Sequence, residues 1–530
     1  MKKITYILFS FLLMVGYTYG QGEVEALQFS KNDLYGTARA MSMGGAFGAL
    51  GGDLTGVAIN PAGIAIYRSS EVAGTAVFSN ENFKAGDISN DKSKFNMHNL
   101  GFVGYFPTRN YNVPLVNFGF SYNKIKSFDR KIGAFGANRN TSLMDYMADI
   151  SSRGSGVDPT KLEFDSNNKD YDPFQSGEPW LSVLGFNSFL INDNQDADGY
   201  YYTPIHDETV NNSLHLSERG SIDNYEFTVG TSINNVLNIG ISLSLADIYY
   251  NLYSENTEDF ARGANAGFDL RNWLTSEGNG VGAKIGVIYR PVNEFRFGLS
   301  YHSPTWYSMT DIYAAEIEEN VTEYVTDPNY EPGITSTANF RRDYDFRTPD
   351  KWIVSAAAIL GQSMILSVDY ELTNYKSMNY SEPSGSYYPS DDFNNTNSYI
   401  TSDFKNSSTI RAGFEYRFIP QFYGRLGYAW MQNPYDKTFK TKQGDAMIAG
   451  SNTAYRLEGD ANYFTAGLGY RFNRNFYADV AFVYKTQEDD LYSYPNVFSD
   501  DSRTEIYIDA APYKLTNNTF KGLLTIGYRF

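Results

Sequence analysis

From Ser69 to the carboxyl terminus, apolar and polar residues alternate in short runs with a period of two, the pattern of a strand whose faces meet different surroundings. The clearest run puts Ile410, Ala412, Phe414, Tyr416 and Phe418 on one face and Arg411, Gly413, Glu415 and Arg417 on the other. Phe476, Ala478, Val480, Phe482 and Tyr484 repeat it against Tyr477, Asp479, Ala481, Val483 and Lys485. The pattern predicts strands over 69–80, 95–106, 114–127, 221–232, 235–250, 280–290, 294–303, 335–361, 362–373, 409–418, 421–432, 462–472, 475–486 and 519–530. Their connections alternate. Those at 107–113, 233–234, 291–293, 361–362, 419–420 and 473–474 are short, whereas 374–408, 433–461 and 487–518 are long and polar. A soluble sandwich has no reason to sort its loops by parity, but a membrane barrel does. The expected fold is therefore all-β, a transmembrane antiparallel β-barrel of about 14 strands.

Residues 36–68, ahead of the first strand, are small, apolar and glycine-rich, as suits a chain that folds tightly against other backbone. Gly44 and Gly45 lie in this stretch, and Asn60-Pro61-Ala62 is a turn signal, because Pro61 fixes its own φ and biases Asn60 toward extended backbone. The first twenty residues read as a secretory signal, with Lys2 and Lys3 before an apolar run from Ile4 to Val15 and small residues before Gln21. No later run approaches the roughly 18 apolar residues of a helical span. The expected division is a signal peptide at 1–20, a plug or hatch inside the lumen at 21–68, and a barrel at 69–530. Its largest extracellular loop, 128–220, contains an amphipathic helix at 142–152. The short turns, the plug and both termini are assigned to the periplasmic side.

Composition narrows the function. Aromatic residues make up 16% of the chain, with 44 Tyr and 37 Phe, yet mean hydropathy is only -0.41; lipid-facing aromatic girdles and long polar loops reconcile the two. The net charge of -18 excludes a nucleic-acid binder, which needs a basic surface. Cys is absent, so neither disulfides nor thiolate metal sites exist. His98, His206, His215 and His302 form no metal-ligand motif, and no nucleophile elbow or phosphate loop is present. No enzyme activity and no cofactor are expected. Arg296, Asp369, Glu371, Arg411, Glu415, Arg417, Arg425, Arg471, Asp479 and Arg529 fall on the inward face, where they would hold the plug and pack the lumen.

With these residues in view, the chain resembles the FadL/TodX family of outer-membrane transporters for hydrophobic compounds. Asn60-Pro61-Ala62 is similar to the signature in that family's hatch. Gly286 to Pro291 and Leu299 to Pro304 resemble its paired strands, and Thr348 to Trp352 sits where it breaks one long strand, which joins 335–346 to 351–361. The resemblance implies capture of a hydrophobic small molecule, fatty acid-like or aromatic, in an apolar lumen pocket, with passive release gated by the hatch through Asn60, Pro61, Ala62, Gly44 and Gly45 and exit sideways through the wall. Residues that contact the ligand are not assigned. Expected partners are the ligand, outer-membrane lipid and lipopolysaccharide, and the barrel-assembly machinery through Phe530. A binding or secretion-associated scaffold is the alternative, with heme uptake or a general porin behind it.

Overall fold

The computed structural model describes residues 22–530, except 165–170, 262–264, 327, 329, 362, 385–392, 438, 440–450 and 500–504. The expected signal peptide lies outside the described residues. A closed antiparallel barrel of 14 staves dominates. In chain order the first six staves are Glu71–Ala85, Ile88–Pro107, Leu115–Ser127, Val210–Ile233, Leu237–Phe260 and Gly267–Tyr289. Stave 7 is Phe295–His302 with Trp306–Asn320, and stave 8 is Phe340–Arg347 with Lys351–Leu360. The remaining six are Met364–Asn374, Asn406–Ile419, Phe422–Met431, Tyr455–Arg471, Phe476–Tyr492 and Tyr513–Arg529. Stave 14 closes on stave 1 from Glu71↔Arg529 to Ala85↔Leu515, so no sheet edge remains there for lipid to meet unpaired.

Outward side chains in the lower part of the wall are apolar and exposed, among them Phe78, Phe102, Phe227, Ile241, Leu299, Val354 and Phe482. Aromatic rings mark the lower rim, where Phe472 lies 5.0 Å from Tyr470 and 5.2 Å from Phe476, and Phe530 lies 6.4 Å from Phe102. Tyr122 and Tyr225, 5.5 Å apart, mark the upper rim, as interfacial girdles should.

Two expectations need correction. Residues 81–94, 251–279 and 304–334 were expected as loops but are largely strand: staves 4 and 5 each run 24 residues, more than twice the roughly 10 needed to cross a bilayer. Above the membrane the outward face turns polar, as at Asn251, Glu255, Thr257 and Asp259, so the contrast that marks a lipid-facing strand vanishes while the alternation of burial continues. Secondly, the two ends of the described residues do not share the periplasmic side. Phe530 pairs with Ser70 at the lower rim, but Gly22 lies at the extracellular end, where its carbonyl accepts a bond from the Tyr380 hydroxyl at 3.0 Å.

The plug therefore descends the lumen. Helix α1 (Glu23–Ser30) lies beneath the extracellular loops; α2 (Ala38–Ser42), α3 (Leu54–Ile59) and a 3-10 turn (Pro61–Ile66) follow below it. The Asp53 side chain caps α3, and Asn60 caps the 3-10 turn with Pro61 at its first position. Over the top, helix α4 (Leu143–Ser152) buries Leu143, Met144 and Met147, as its amphipathic pattern predicted. Trp180, which opens a further helix (Trp180–Asn187), packs 4.7 Å from Phe340 and 5.1 Å from Tyr313. The loop after stave 11 also turns inward: Ser451 to Ala454 are buried, with Ser254 donating to Asn452 at 3.2 Å.

Candidate functional site

The glycine-rich segment meets the wall backbone to backbone. Gly44 and Gly45 have φ of +64° and +77°, which strains any other residue. The Gly44 amide donates to the Thr465 hydroxyl at 3.0 Å, and a Cβ there would meet the Tyr428 backbone at 2.6 Å. The wall answers with glycines of its own. A Cβ on Gly240 would land on Pro61 and Ala62, one on Gly286 on the Asn60 amide, one on Gly413 on Met43, and one on Gly427 on Gly44. Thus Gly44 and Gly45 seat against staves 10 to 12, while Asn60, Pro61 and Ala62 seat against staves 5 and 6. Asn60 connects the two halves: its Nδ2 donates to the Gly48 carbonyl at 2.8 Å and the Val287 carbonyl at 3.2 Å, and its Oδ1 accepts from the Ala62 amide at 3.1 Å.

Charged wall residues complete the seat. One Asp369 oxygen accepts the Phe47 and Gly48 amides, each at 2.9 Å. Arg39 of the plug donates twice to Glu415, at 3.0 Å each, and Glu415 is bonded by Arg425, which also reaches Asp479. Arg296 donates to the Leu50 carbonyl at 2.6 Å. Of the inward charges singled out from sequence, Arg296, Asp369 and Glu415 touch the plug. Arg411 pairs with Glu371 beside it, and Arg529 pairs with Glu71 across the closing seam. Buried charges of this kind are stable only when fully paired, so they fix position more than they add stability.

Beside the upper plug lies a cavity of about 130 Å³, bounded by Phe29 to Tyr35 and by wall residues from stave 3 round to stave 11. Leu34, Ile125 and Ile353 line it together with Lys284, Lys351 and Arg411, so the lining is mixed rather than apolar. Its volume is below the roughly 300 Å³ at which small-molecule sites begin, so a larger ligand requires the plug to shift.

Among the described residues the wall is interrupted in two places at bilayer height. Staves 7 and 8 break side by side at 303–305 and 348–350, the second within the stretch expected to be a break. This interruption is stitched: Thr348 donates its amide to the Thr305 carbonyl at 3.1 Å, Thr305 to the Thr348 hydroxyl at 2.9 Å, and Ala283 to the Ser303 hydroxyl at 2.9 Å. The other interruption has no backbone ladder across it. Stave 2 pairs with stave 3 only from Asn99↔Asn123 down to Pro107↔Leu115. Above that, residues 88–98 have no ladder partner on this side, and the strand Arg130–Arg139 that continues stave 3 pairs with stave 4 alone. A bulge at His98 and another at Ile125 mark where the two staves part. Side chains bridge the gap: Lys94 donates to the Ser127 hydroxyl at 2.8 Å and the Asp129 carbonyl at 3.2 Å. Phe95 and Met97, 73% and 53% exposed, face outward here, so the seam begins at bilayer height.

Asp33 of the plug stands behind the seam. Its amide donates to the carbonyl of the bulged Ile125 at 3.0 Å. It lines both the upper cavity and a small pocket shared with His98, Lys94, Lys126 and Lys521 at the seam. The seam was missed from sequence, although a signal was present: the outward apolar positions run Phe95, Met97, then Leu100, Phe102, a slip of one residue at the bulge.

Comparison with known proteins identifies this architecture. The family model for outer membrane protein transport proteins (OMPP1/FadL/TodX) matches residues 221–510. A FadL homologue of Pseudomonas aeruginosa superposes with a TM-score of 0.55 at 11% identity, covering 94% of this chain and 100% of that one. The toluene transporter TbuX of Ralstonia pickettii gives 0.49 at 13% identity, over 94% and 98%, and the Pseudomonas putida toluene transporter TodX gives 0.48 at 11%, over 94% and 99%. No curated protein matches by sequence. At 11% identity the Pseudomonas aeruginosa structure establishes the fold alone, and the family model establishes kinship over more than half the chain. The chain belongs to the FadL/TodX family of transporters of hydrophobic compounds in the outer membrane of Gram-negative bacteria.

Proposed function

We propose that the protein admits a hydrophobic small molecule to the cavity beside the upper plug and releases it sideways into the membrane through the seam between staves 2 and 3, with the Asp33 segment as the gate. The observation that carries this reading is the unpaired upper edge of stave 2, with Asp33 lining the spaces on both of its inner sides. Unpaired strand edges are not stable against hydrocarbon, so the seam must stay covered by polar side chains at rest and be shielded by cargo or water when it opens. Lys94, Ser127 and Asp129 supply that cover. Displacing Asp33 would merge the two spaces; it breaks one backbone hydrogen bond to Ile125, worth about 1 kcal/mol, and draws the carboxylate away from Lys94, Lys126, Lys485 and Lys521, so the arriving cargo must answer those cations. Apolar parts of the cargo would gain roughly 25 cal/mol per Å² buried against Leu34, Ile125 and Ile353, and the cationic groups nearby suit a cargo with one polar end.

A disulfide across the seam tests this. The chain has no cysteine of its own, and a Cβ on Gly133 would lie 3.7 Å from Cγ of Asn90, so an Asn90→Cys/Gly133→Cys pair faces itself across the gap. Uptake of a labelled long-chain fatty acid and of toluene is to be measured in cells carrying the oxidised and reduced pair. Oxidation should abolish uptake of the true cargo and reduction restore it. Equal uptake in both states would remove the seam as the exit, and no uptake of either compound by the unmodified protein would remove both as cargo.

A further inference from the structure

We propose that the outer mouth of the seam is a docking site for the phosphate of an outer-leaflet glycolipid. Lys92 lies in the unpaired stretch of stave 2, 3.9 Å from Asp129 across the gap, and close enough to Lys94, Lys131 and Arg219 for their charges to interact. Lys131 pairs in register with Ser217, and Arg219 is the next residue along stave 4 on the same outward face, so the two cations are diagonal neighbours. Both are exposed, and neither forms an ion pair with any described residue.

The other nearby charges are committed. Lys94 bonds Glu81 at 3.2 Å, Lys124 faces Asp223 at 3.6 Å, and Arg130 turns inward to Glu218. Asp129 and the exposed Asp91, which accepts from Asn82, are thus the acids set against Lys92, Lys131 and Arg219 among the described residues, which leaves the mouth cationic by one charge in a chain whose net charge is -18.

Height selects the partner. Tyr122 and Tyr225 form the upper girdle, Tyr249 lies opposite Ser221, and Arg219 is one outward-facing step above Ser221 on the same stave. Lys131 and Arg219, just above an aromatic girdle and pointing away from the lumen, meet the phosphate layer of the leaflet rather than cargo inside the barrel, while Lys92, on the face of stave 2 opposite to Phe95 and Met97, reaches the gap beside Asp129 from the lumen side. A phosphorylated glycolipid held there would cover the bare edge of stave 2 with its sugar hydroxyls, which is the edge's unmet need. This inference stands on the geometry of the seam, whichever way cargo leaves.

The test uses the purified full chain, equilibrated with bicelles containing equal amounts of bis-phosphorylated and dephosphorylated lipid A, with retained lipid read by native mass spectrometry. The unmodified protein should retain the phosphorylated form in preference. Lys92→Gln/Lys131→Gln/Arg219→Gln should weaken that preference by about fivefold per charge, roughly a hundredfold together. A control with the same charge change, Arg153→Gln/Lys161→Gln/Arg341→Gln, takes exposed cations from elsewhere, two in the extracellular loops and one in the upper part of stave 8, and should leave it unchanged. Should the seam variant not fold, salt decides with the unmodified protein: raising ionic strength from 0.1 M to 1 M shortens screening from about 10 Å to about 3 Å and should erase the preference. Equal retention of both lipids by the unmodified protein, equal behaviour of the two triple variants, or a preference that survives 1 M salt would overturn the assignment.

Discussion

Asn60→Ala isolates what one side chain contributes to seating the plug. Its amide makes three hydrogen bonds, to Gly48 within the plug, to Val287 in the wall, and from Ala62 in the turn that follows, and it is almost wholly buried. Each such bond contributes about 1 kcal/mol net, and a buried group left without its partner costs a similar amount or more, so truncation should weaken the seat locally by roughly 3 kcal/mol. That is about a hundredfold in the equilibrium between seated and open plug. Barrel closure does not pass through Asn60, so the variant should remain heat-modifiable and should exchange the amides of Val77 and Leu523, in the closing pair of staves, at the unmodified rate. The Ala62 amide, which loses its acceptor, should exchange about a hundredfold faster, with increased leakage of small solutes in cells matched for folded protein. Unchanged exchange at Ala62 in a folded barrel would refute the reasoning, because it would mean that the glycine-to-glycine contacts hold the plug without the side chain.

Other perturbations separate plug, closure, cap and topology. Gly240→Leu places a side chain where Pro61 and Ala62 rest and should mimic Asn60→Ala in leakage while leaving the barrel folded; a tight barrel would show that the plug can re-seat. Deleting Phe530 removes its two backbone bonds with Ser70 and its ring contact with Phe102, and should lower the yield of heat-modifiable protein, whereas normal yield would make the terminal residue incidental. Glu258, near the upper end of stave 5 and above the bilayer, is pushed up to about 7 by burial, against the bonds from Ser142, Leu143 and Asn212 that favour its charged form. Since its folded value exceeds the ordinary one, its protonated form stabilises the cap fully below about pH 4.5, and this contribution is lost as pH rises through about 7; helix α4 amides should exchange faster at pH 8.5 than at pH 5, and Glu258→Gln should flatten that difference. A tag inserted at Asn395, which is exposed beyond stave 9, should be reachable on intact cells and one at Asn473 should not, while one at the buried Asn452 should disturb folding; labelling at Asn473 alone would invert the topology.

The strands were legible because a lipid-facing wall needs apolar residues outward at every second position, and runs such as Ile410 to Phe418 supply them without interruption. The upper halves of staves 4 to 6 were not. Once a strand leaves the bilayer both faces can be polar, and Glu255 facing out then reads like Glu258 facing in. The plug was legible as a small-residue segment, and Asn60-Pro61-Ala62 as its turn, since these follow from backbone sterics near in sequence. Its direction was not, because what sends Gly22 upward is a bond from Tyr380, more than three hundred residues away. The seam lay between these cases. Its bulge is written in the slip from Met97 to Leu100, but only pairing shows that stave 3 fails to follow.

The distribution of contacts along the plug argues for where it can move. Between Arg39 and Leu50 the chain is held by Glu415, Asp369, Arg296 and Thr465, and Asn60 ties the next turn to the same seat. Wall glycines bring backbone against backbone here, so displacement would uncover several buried charges and carbonyls at once, each costing on the order of 1–3 kcal/mol. From Lys31 to Tyr35 the hydrogen bonds that reach the wall are fewer, namely the Lys31 ion pair with Glu458 and the Asp33 amide on Ile125, but the Asp33 carboxylate also sits among Lys94, Lys126, Lys485 and Lys521 of the wall, and the Leu34 backbone lies beside the Tyr463 hydroxyl. This stretch borders the upper cavity, and at Asp33 the seam pocket as well. A ligand that displaced the lower plug would have to offset a whole network of hydrogen bonds, whereas one that displaced Asp33 would have to replace one backbone bond and the attraction of the four surrounding lysines for its carboxylate. Gating by the upper segment, with the Asn60 turn as its fixed anchor, is therefore the arrangement that the bonding favours.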